Sequence, residues 1–202
     1  MKLPFSYYQN QDVLFLAKDL LGKLLFTDID GEITAGIIVE TEAYFGIHDK
    51  ASHSYGGKRT DRTEIMYAQG GISYVYLCYG IHHLFNVVTS VENEPHAVLI
   101  RAVEPLLGQE IMELRRNMPF TKPAISSGPG SAAKALGIDR SFNKKELTGE
   151  EIWLEDHNIR YNPDEIISTP RVGVAYAQED AFLPWRFFVK GNKYVSKPNK
   201  VE

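Results

Sequence analysis

The chain has 202 residues and a formal net charge of −4, with 44% hydrophobic and 24% charged side chains. That balance excludes a disordered tail or a fibrous repeat, and the length suits one globular domain with a sizeable core. It also excludes a global positive field, so any hold on a polyanion must come from local basic surface. A single cysteine, Cys78, rules out an internal disulfide and a multi-cysteine zinc site, and fits a reducing compartment. Met1-Lys2-Leu3-Pro4-Phe5-Ser6 lacks the apolar run of a signal peptide, and no stretch reaches membrane-spanning length.

Residues 10–22 read as a helix, with Val13, Leu14, Leu16, Ala17, Leu20 and Leu21 on one face and Gly22 as a stop. Residues 24–27 read as a short strand, Asp28-Ile29-Asp30-Gly31 as a hairpin turn, and 33–44 as the return strand. Residues 45–70, with Gly46, Gly56, Gly57 and many polar side chains, read mostly as loop. A loop that long inside a compact domain usually serves a function. Strands are expected at 73–77 and 85–90, joined across 78–84, and at 96–103. Residues 108–117 and 130–136 read as helices, and Ser126-Ser127-Gly128-Pro129-Gly130 offers free N–H groups able to hold a phosphate. Residues 141–168 look polar and turn-rich around a short strand at 152–154. Closing strands are expected at 171–176 and 186–190. Hairpins with interspersed helices predict an α+β fold with a mixed or antiparallel sheet.

Between residues 40 and 101, acids, an imidazole, aromatics and an Arg sit in apolar, strand-like sequence, where charge is costly unless paired or used. Residues two apart on a strand share a face, so Glu40, Glu42 and Tyr44 point the same way. Such a face is most often solvated. Here apolar neighbours on both faces and the Gly-rich loop that follows argue for a site. A carboxylate beside apolar walls can act as a general base towards water, and spacing leaves open whether Glu40 or Glu42 does so. Arg101, closing Ala97-Val98-Leu99-Ile100, would keep such a carboxylate ionised if it lay near. Asn86, inside Leu84-Phe85-Val87-Val88, is either a core amide or a site residue. His53 stands in a loop, where a lone His is commonly just exposed. His48, His82 and His83 match no zinc spacing, and no metal or cofactor is expected.

Tyr74 and Tyr76 share a face, while Tyr79, at the Tyr79-Gly80 turn, has the other parity. An aromatic at a hairpin tip either folds back on its own strands or serves as a wedge that fills the gap left by an extruded base. Tyr44 and Tyr76 could stack on that base, for about 1–3 kcal/mol per base. Two basic clusters could meet phosphates: Lys58, Arg59 and Arg62 beside the loop, and Arg186, Lys190, Lys193, Lys197 and Lys200 near the end.

Glu40-Thr41-Glu42-Ala43-Tyr44, Ala51-Ser52-His53-Ser54, Tyr76-x-x-Tyr79-Gly80, Asn86, 99–105, Ser127-Gly128-Pro129, Arg171-Val172-Gly173-Val174 and 186–191 together resemble the alkyladenine (3-methyladenine, methylpurine) DNA glycosylase family. Order and spacing hold from about residue 10 to 196. The resemblance implies one compact α+β domain around a curved, mostly antiparallel sheet. It implies an enzyme that flips alkylated or deaminated purines out of double-stranded DNA and hydrolyses the N-glycosidic bond without a metal; a monomer is expected. By the same resemblance, Glu42 activates water and Arg101 helps position it. Tyr44, His53 and Tyr76 line the base pocket, Asn86 excludes guanine by its exocyclic amino group, and Tyr79 intercalates. Where many relatives carry a Lys after the Ser-Gly-Pro-Gly run, this chain has Ser131, with Lys134 the nearest base. His82-His83 replaces bulky apolar or aromatic residues beside the wedge. The lack of the eukaryotic N-terminal extension points to a bacterial, cytoplasmic enzyme. A binding module for damaged DNA and a histidine-based metallohydrolase are the readings from other classes.

Overall fold

Strand β2 (Glu32–Phe45) is the spine of the molecule. It buries Ala35, Ile38, Val39 and Ala43, residues of both parities, because it is covered on both faces. Its first half pairs with β1 (Leu24–Ile29) through a turn in which Asp30 (φ 54°) and Gly31 (φ 85°) are both left-handed. That is the geometry a two-residue hairpin favours. Its other edge carries β5 (His96–Leu107), and Glu40 to Glu42 also pair with β8 (Arg186–Val189). The sheet runs β3 (Ser73–Cys78), β4 (His82–Thr89), β5, β2, β1, β6 (Ile152–Glu155), and β7 (Ile166–Thr169) pairs β8. Every pairing is antiparallel. The computed structural model describes residues 1–196; Lys197 and Lys200 of the basic tail lie outside them.

Register shifts at Ala35/Gly36, Ile38/Glu40 and Glu40/Thr41 interrupt the β2–β5 ladder. Such bulges bend the strand and increase its twist, and the sheet curls into a half-barrel. At Gly36 a side chain would meet Val103 Cγ2 at 2.7 Å, so only glycine lets the two strands approach there. The hollow of the curl is filled by α2 (Val13–Asp19), which buries Val13, Leu16 and Ala17. The short helix α1 (Phe5–Tyr8) precedes it. The side chain of Asp12 caps α2 by accepting from Phe15 N at 2.8 Å. Further along, α3 (Gln109–Arg116) buries Met112, and α4 (Pro129–Ala135) buries Ala132, Ala133 and Ala135. One apolar core draws residues from Leu3 to Tyr194. The α+β class and the antiparallel curl are as expected.

Three expectations fail. Residues 171–176 form no strand: Gly173 is left-handed at φ 77°, and a 3₁₀ segment takes over at Ala175–Phe182. The strand preceding β8 is instead β7, in a stretch that reads as polar turns because its residues are only half buried. The β3–β4 connection is also tighter than expected, with only Tyr79, Gly80 and Ile81 between the strands.

Candidate active site

Glu40 and Glu42 are both fully buried, but their surroundings differ. Glu40 Oε1 accepts from Arg101 Nε, Arg186 Nε and Ser196 Oγ, each at 2.7 Å, and Oε2 accepts from Ser196 N at 2.6 Å. Burial alone would raise its carboxyl, yet the Arg101 and Arg186 guanidiniums hold it below the usual carboxylate range. Glu40 is not part of the cleft wall that Glu42 joins. Glu42 Oε1 accepts from Val172 N at 2.8 Å and lies 3.2 Å from Arg101 Nη1, while Oε2 accepts from Tyr44 Oη at 2.9 Å. Glu42 also forms part of the wall of a cleft of about 520 Å³. Arg101 therefore bridges the two acids, and Arg186 completes a buried set of two carboxylates and two guanidiniums.

The cleft is walled by Tyr44, His53, Tyr76, Leu99 and Arg101, with residues 172–174 opposite. Its inner end is a chamber of about 40 Å³ between Tyr44, His53, Tyr76, Asn86 and Tyr176. Register places Asn86 opposite Tyr74 on β3 and Leu99 on β5. It is 4% exposed, and its Nδ2 donates to Tyr74 O at 3.1 Å. The rings of Tyr74 and Tyr76 lie 5.3 Å apart, and both meet the edge of His53. His53 Nδ1 is 2.8 Å from Tyr74 Oη, which also accepts from Arg62 Nε at 3.2 Å. Burial, then Arg62 and Lys58, push the His53 imidazole down to about 4, so it is neutral at pH 7. Burial likewise raises the Tyr44 hydroxyl well above its ordinary value, with Glu42 adding to it, which keeps Tyr44 a neutral donor.

At the rim, Tyr79 is 88% exposed and Ile81 72%. Tyr79 is held left-handed at φ 50°, a conformation unfavourable by roughly 1–2 kcal/mol for a residue with a Cβ. At 88% exposure the side chain buries little that could offset that cost. Beside the tip, a side chain at Gly130 would meet the His82 ring at 2.8 Å, so glycine lets α4 abut the hairpin. Among the described residues, no helix is long and apolar enough to cross a membrane.

The basic candidates separate. Lys58 and Arg62 line a groove of about 370 Å³ that shares His53 and Tyr176 with the cleft, and the Arg62 guanidinium lies over the Tyr76 ring at 4.8 Å. Arg59 is exposed but forks onto both oxygens of Glu64 at 2.7 Å. Lys134 borders a second groove beside Ile81, His82 and His83. Ser131 lies on the cleft wall and accepts from Arg116 Nη2 at 3.1 Å. Lys190 is exposed at the end of β8 and borders neither groove nor cleft. Arg186 is a correction: it is 4% exposed and spent on Glu40 and Ser196 O, so no phosphate reaches it. In the ladder Arg186 pairs with Glu42, and its side chain reaches Glu40 two residues along β2, an inward partner that its own strand neighbours Phe187 and Val189 do not reveal.

Two further residues at the site carry little chemical signal in the sequence. Val172 offers only its backbone N–H. Tyr176 donates from its hydroxyl to Ala51 O at 3.1 Å and lines both the chamber and the cleft. Among the described residues no three His, Cys, Asp or Glu side chains gather as metal ligands.

The family described as "Methylpurine-DNA glycosylase (MPG)" matches residues 6–193 of this chain. A protein of Chlamydia felis is 48% identical over 194 residues, covering 95% of this chain and 97% of its own length. One of Borrelia garinii subsp. bavariensis is 47% identical over 197 residues, at 95% and 98% coverage. One of Desulfitobacterium hafniense is 44% identical over 206 residues, at 97% and 99%. Each is named "Putative 3-methyladenine DNA glycosylase".

Proposed function

Because the chain belongs to the methylpurine-DNA glycosylase family, hydrolases of base excision repair, we propose that it flips alkylated or deaminated purines out of duplex DNA and hydrolyses their N-glycosidic bond. The observation that carries this reading is Glu42. It is the carboxylate that reaches the cleft, and it does so beside the rings of Tyr44 and Tyr76.

Glu42 Oε1 receives Val172 N–H and Arg101, and Oε2 receives the Tyr44 hydroxyl. A carboxylate oxygen has two lone-pair directions, so Oε2 keeps one for a water. Glu42 takes a proton from that water as its oxygen attacks C1′. The C1′–N9 bond breaks and its electron pair leaves with the purine. A cationic 3-methyladenine or 7-methylguanine departs neutral. Hypoxanthine and ethenoadenine leave as anions and take up a proton from solvent water. The product is an abasic sugar.

Tyr44 and Tyr76 sandwich the flipped base. The inner chamber holds about one water, so the base occupies the cleft and presents one edge to Asn86. Tyr79 enters the vacated stack. Lys58 and Arg62 meet the lesion strand, and Lys134 lies on the far flank of the hairpin. Every group the reaction uses is in one chain, which supports action as a monomer, and the bacterial relatives support a cytoplasmic enzyme acting on the chromosome.

The deciding experiment incubates the protein with duplexes carrying one 3-methyladenine, 7-methylguanine, hypoxanthine or ethenoadenine, followed by alkaline cleavage at any abasic site. Cleavage at one or more lesions, retained with chelator, is expected. Tight lesion binding with no cleavage would make the protein a recognition module, and loss with chelator would make it a metallohydrolase.

A further inference from the structure

Val172 N–H is the shortest hydrogen bond Glu42 receives, yet residues 170–174 lie in no strand, and no sheet ladder holds that N–H in place. Gly173 beside it is left-handed at φ 77°. What ties the segment down is the side chain of the preceding residue. Arg171 Nη1 donates to Ala43 O at 2.9 Å, and both Nη atoms fork onto the Asp49 carboxylate, Nη2 at 2.8 Å. Both side chains are fully buried.

Asp49 reaches further. Its Oδ2 accepts from Phe45 N at 3.1 Å and its Oδ1 from Ala51 N at 2.9 Å. The Arg171 guanidinium lies over the Tyr44 ring at 4.9 Å and the Trp185 ring at 5.1 Å. One ion pair thus joins the end of β2, the turn that leads to His53, and the segment that carries Val172. Each of these segments supplies a wall of the cleft. A buried pair is seldom kept for stability, since well-packed apolar residues do as well or better. A forked guanidinium–carboxylate pair does fix direction, which apolar contacts do not.

We propose that Asp49 and Arg171 are positioning residues: their pair sets the Val172 N–H against Glu42 Oε1 and the Tyr44 ring against the base. The kinetic part of this rests on the glycosylase reading above; the geometric part does not. Asp49→Asn keeps the shape but removes the charge. Arg171→Lys keeps the charge but loses the fork and the bond to Ala43 O.

The test has two arms. In the first, amide exchange is followed by NMR in the free protein. Val172 should exchange at least about 10-fold faster in both variants, while core amides of Ile38 and Val87 keep their wild-type rates. If Val172 exchanges as in wild type, or only in step with Ile38 and Val87, the pair is merely structural and the proposal fails. In the second, saturating single-turnover excision should slow by about 10- to 100-fold, with lesion-duplex affinity within about 3-fold of wild type. A fall confined to the active fraction, with the rate constant unchanged, would overturn it. If wild type excises nothing, the glycosylase reading fails, and the exchange arm still decides the positioning role. If Asp49→Asn does not fold, Arg171→Lys carries both arms.

Discussion

Glu40 and Glu42 share one guanidinium: Arg101 places Nε 2.7 Å from the first and Nη1 3.2 Å from the second. The two acids are two residues apart on one strand, and yet only Glu42 opens to the cleft. Glu40 is enclosed by Arg101, Arg186 and Ser196. This asymmetry separates an enclosed carboxylate from one set in the cleft wall.

It predicts opposite outcomes for two isosteric changes. Glu42→Gln should cut single-turnover excision by at least about 100-fold, the scale of a lost general base, with lesion binding and urea midpoint near wild type. Glu40→Gln removes the carboxylate that receives both Arg101 and Arg186, leaving the buried Arg186 without an acid, and should destabilise the fold by about 3–5 kcal/mol. Substantial turnover in Glu42→Gln, with a stable but inactive Glu40→Gln, would reverse the assignment.

Asn86 is tethered by Nδ2 to Tyr74 O, which holds its amide at the chamber wall, facing the edge of a base in the cleft. Excluding a base by a clash costs little rate on the right substrate, so removing the clash relaxes selectivity more than it slows excision. Asn86→Ser and Asn86→Ala should raise excision of guanine relative to hypoxanthine, which lacks the exocyclic amino group. An unchanged guanine-to-hypoxanthine ratio would count against the role.

His53 predicts a pH effect on stability. Its folded-state value of about 4 lies below the ordinary 6.5, so the unfolded chain binds the extra proton first. Stability from this group is complete above about pH 6.5 and is lost as pH falls towards 4. His53→Gln cannot take that proton. The difference between wild-type and His53→Gln urea midpoints should shift in favour of the variant between pH 7 and pH 4.5. A constant difference would mean that His53 is not held neutral.

Much of this was legible in the sequence because it follows local rules. The β1–β2 hairpin came from Asp30-Gly31, and the shared face of Glu40, Glu42 and Tyr44 from strand parity. What strand parity could not supply was the difference between the two acids. Arg101 lies across the sheet from them, and Arg186 and Ser196 come from a distant part of the chain. Residues 171–176 read as a strand because all but Arg171 are apolar or neutral. Arg171 instead turns inward to Asp49, a partner 122 residues away. Arg186 looked like a surface cation for the same reason: its partner is tertiary.

Tyr79 shows most directly whether the protein extrudes a base. It is 88% exposed, left-handed at φ 50°, and next to Gly80, around which a side chain would find open space. Such a residue gives the free protein nothing, so Tyr79→Ser should leave the urea midpoint unchanged and Tyr79→Gly should raise stability by about 0.5–1 kcal/mol. Extruding a base costs a few kcal/mol of stacking and pairing, and a side chain that refills the stack offsets part of that and slows the base's return. The Tyr79→Ser defect should therefore be largest where hypoxanthine is stably paired with cytosine, smaller opposite thymine, and smallest in single-stranded DNA. Tyr76→Ser removes a pocket wall that both paired and unpaired lesions need, with its ring against His53 and under Arg62, so its defect should not shrink with pairing. Single-turnover excision in the three contexts measures both. An equal Tyr79→Ser defect in all three would place that ring in the pocket's service and leave the hairpin tip, with Ile81 beside it, without a wedge.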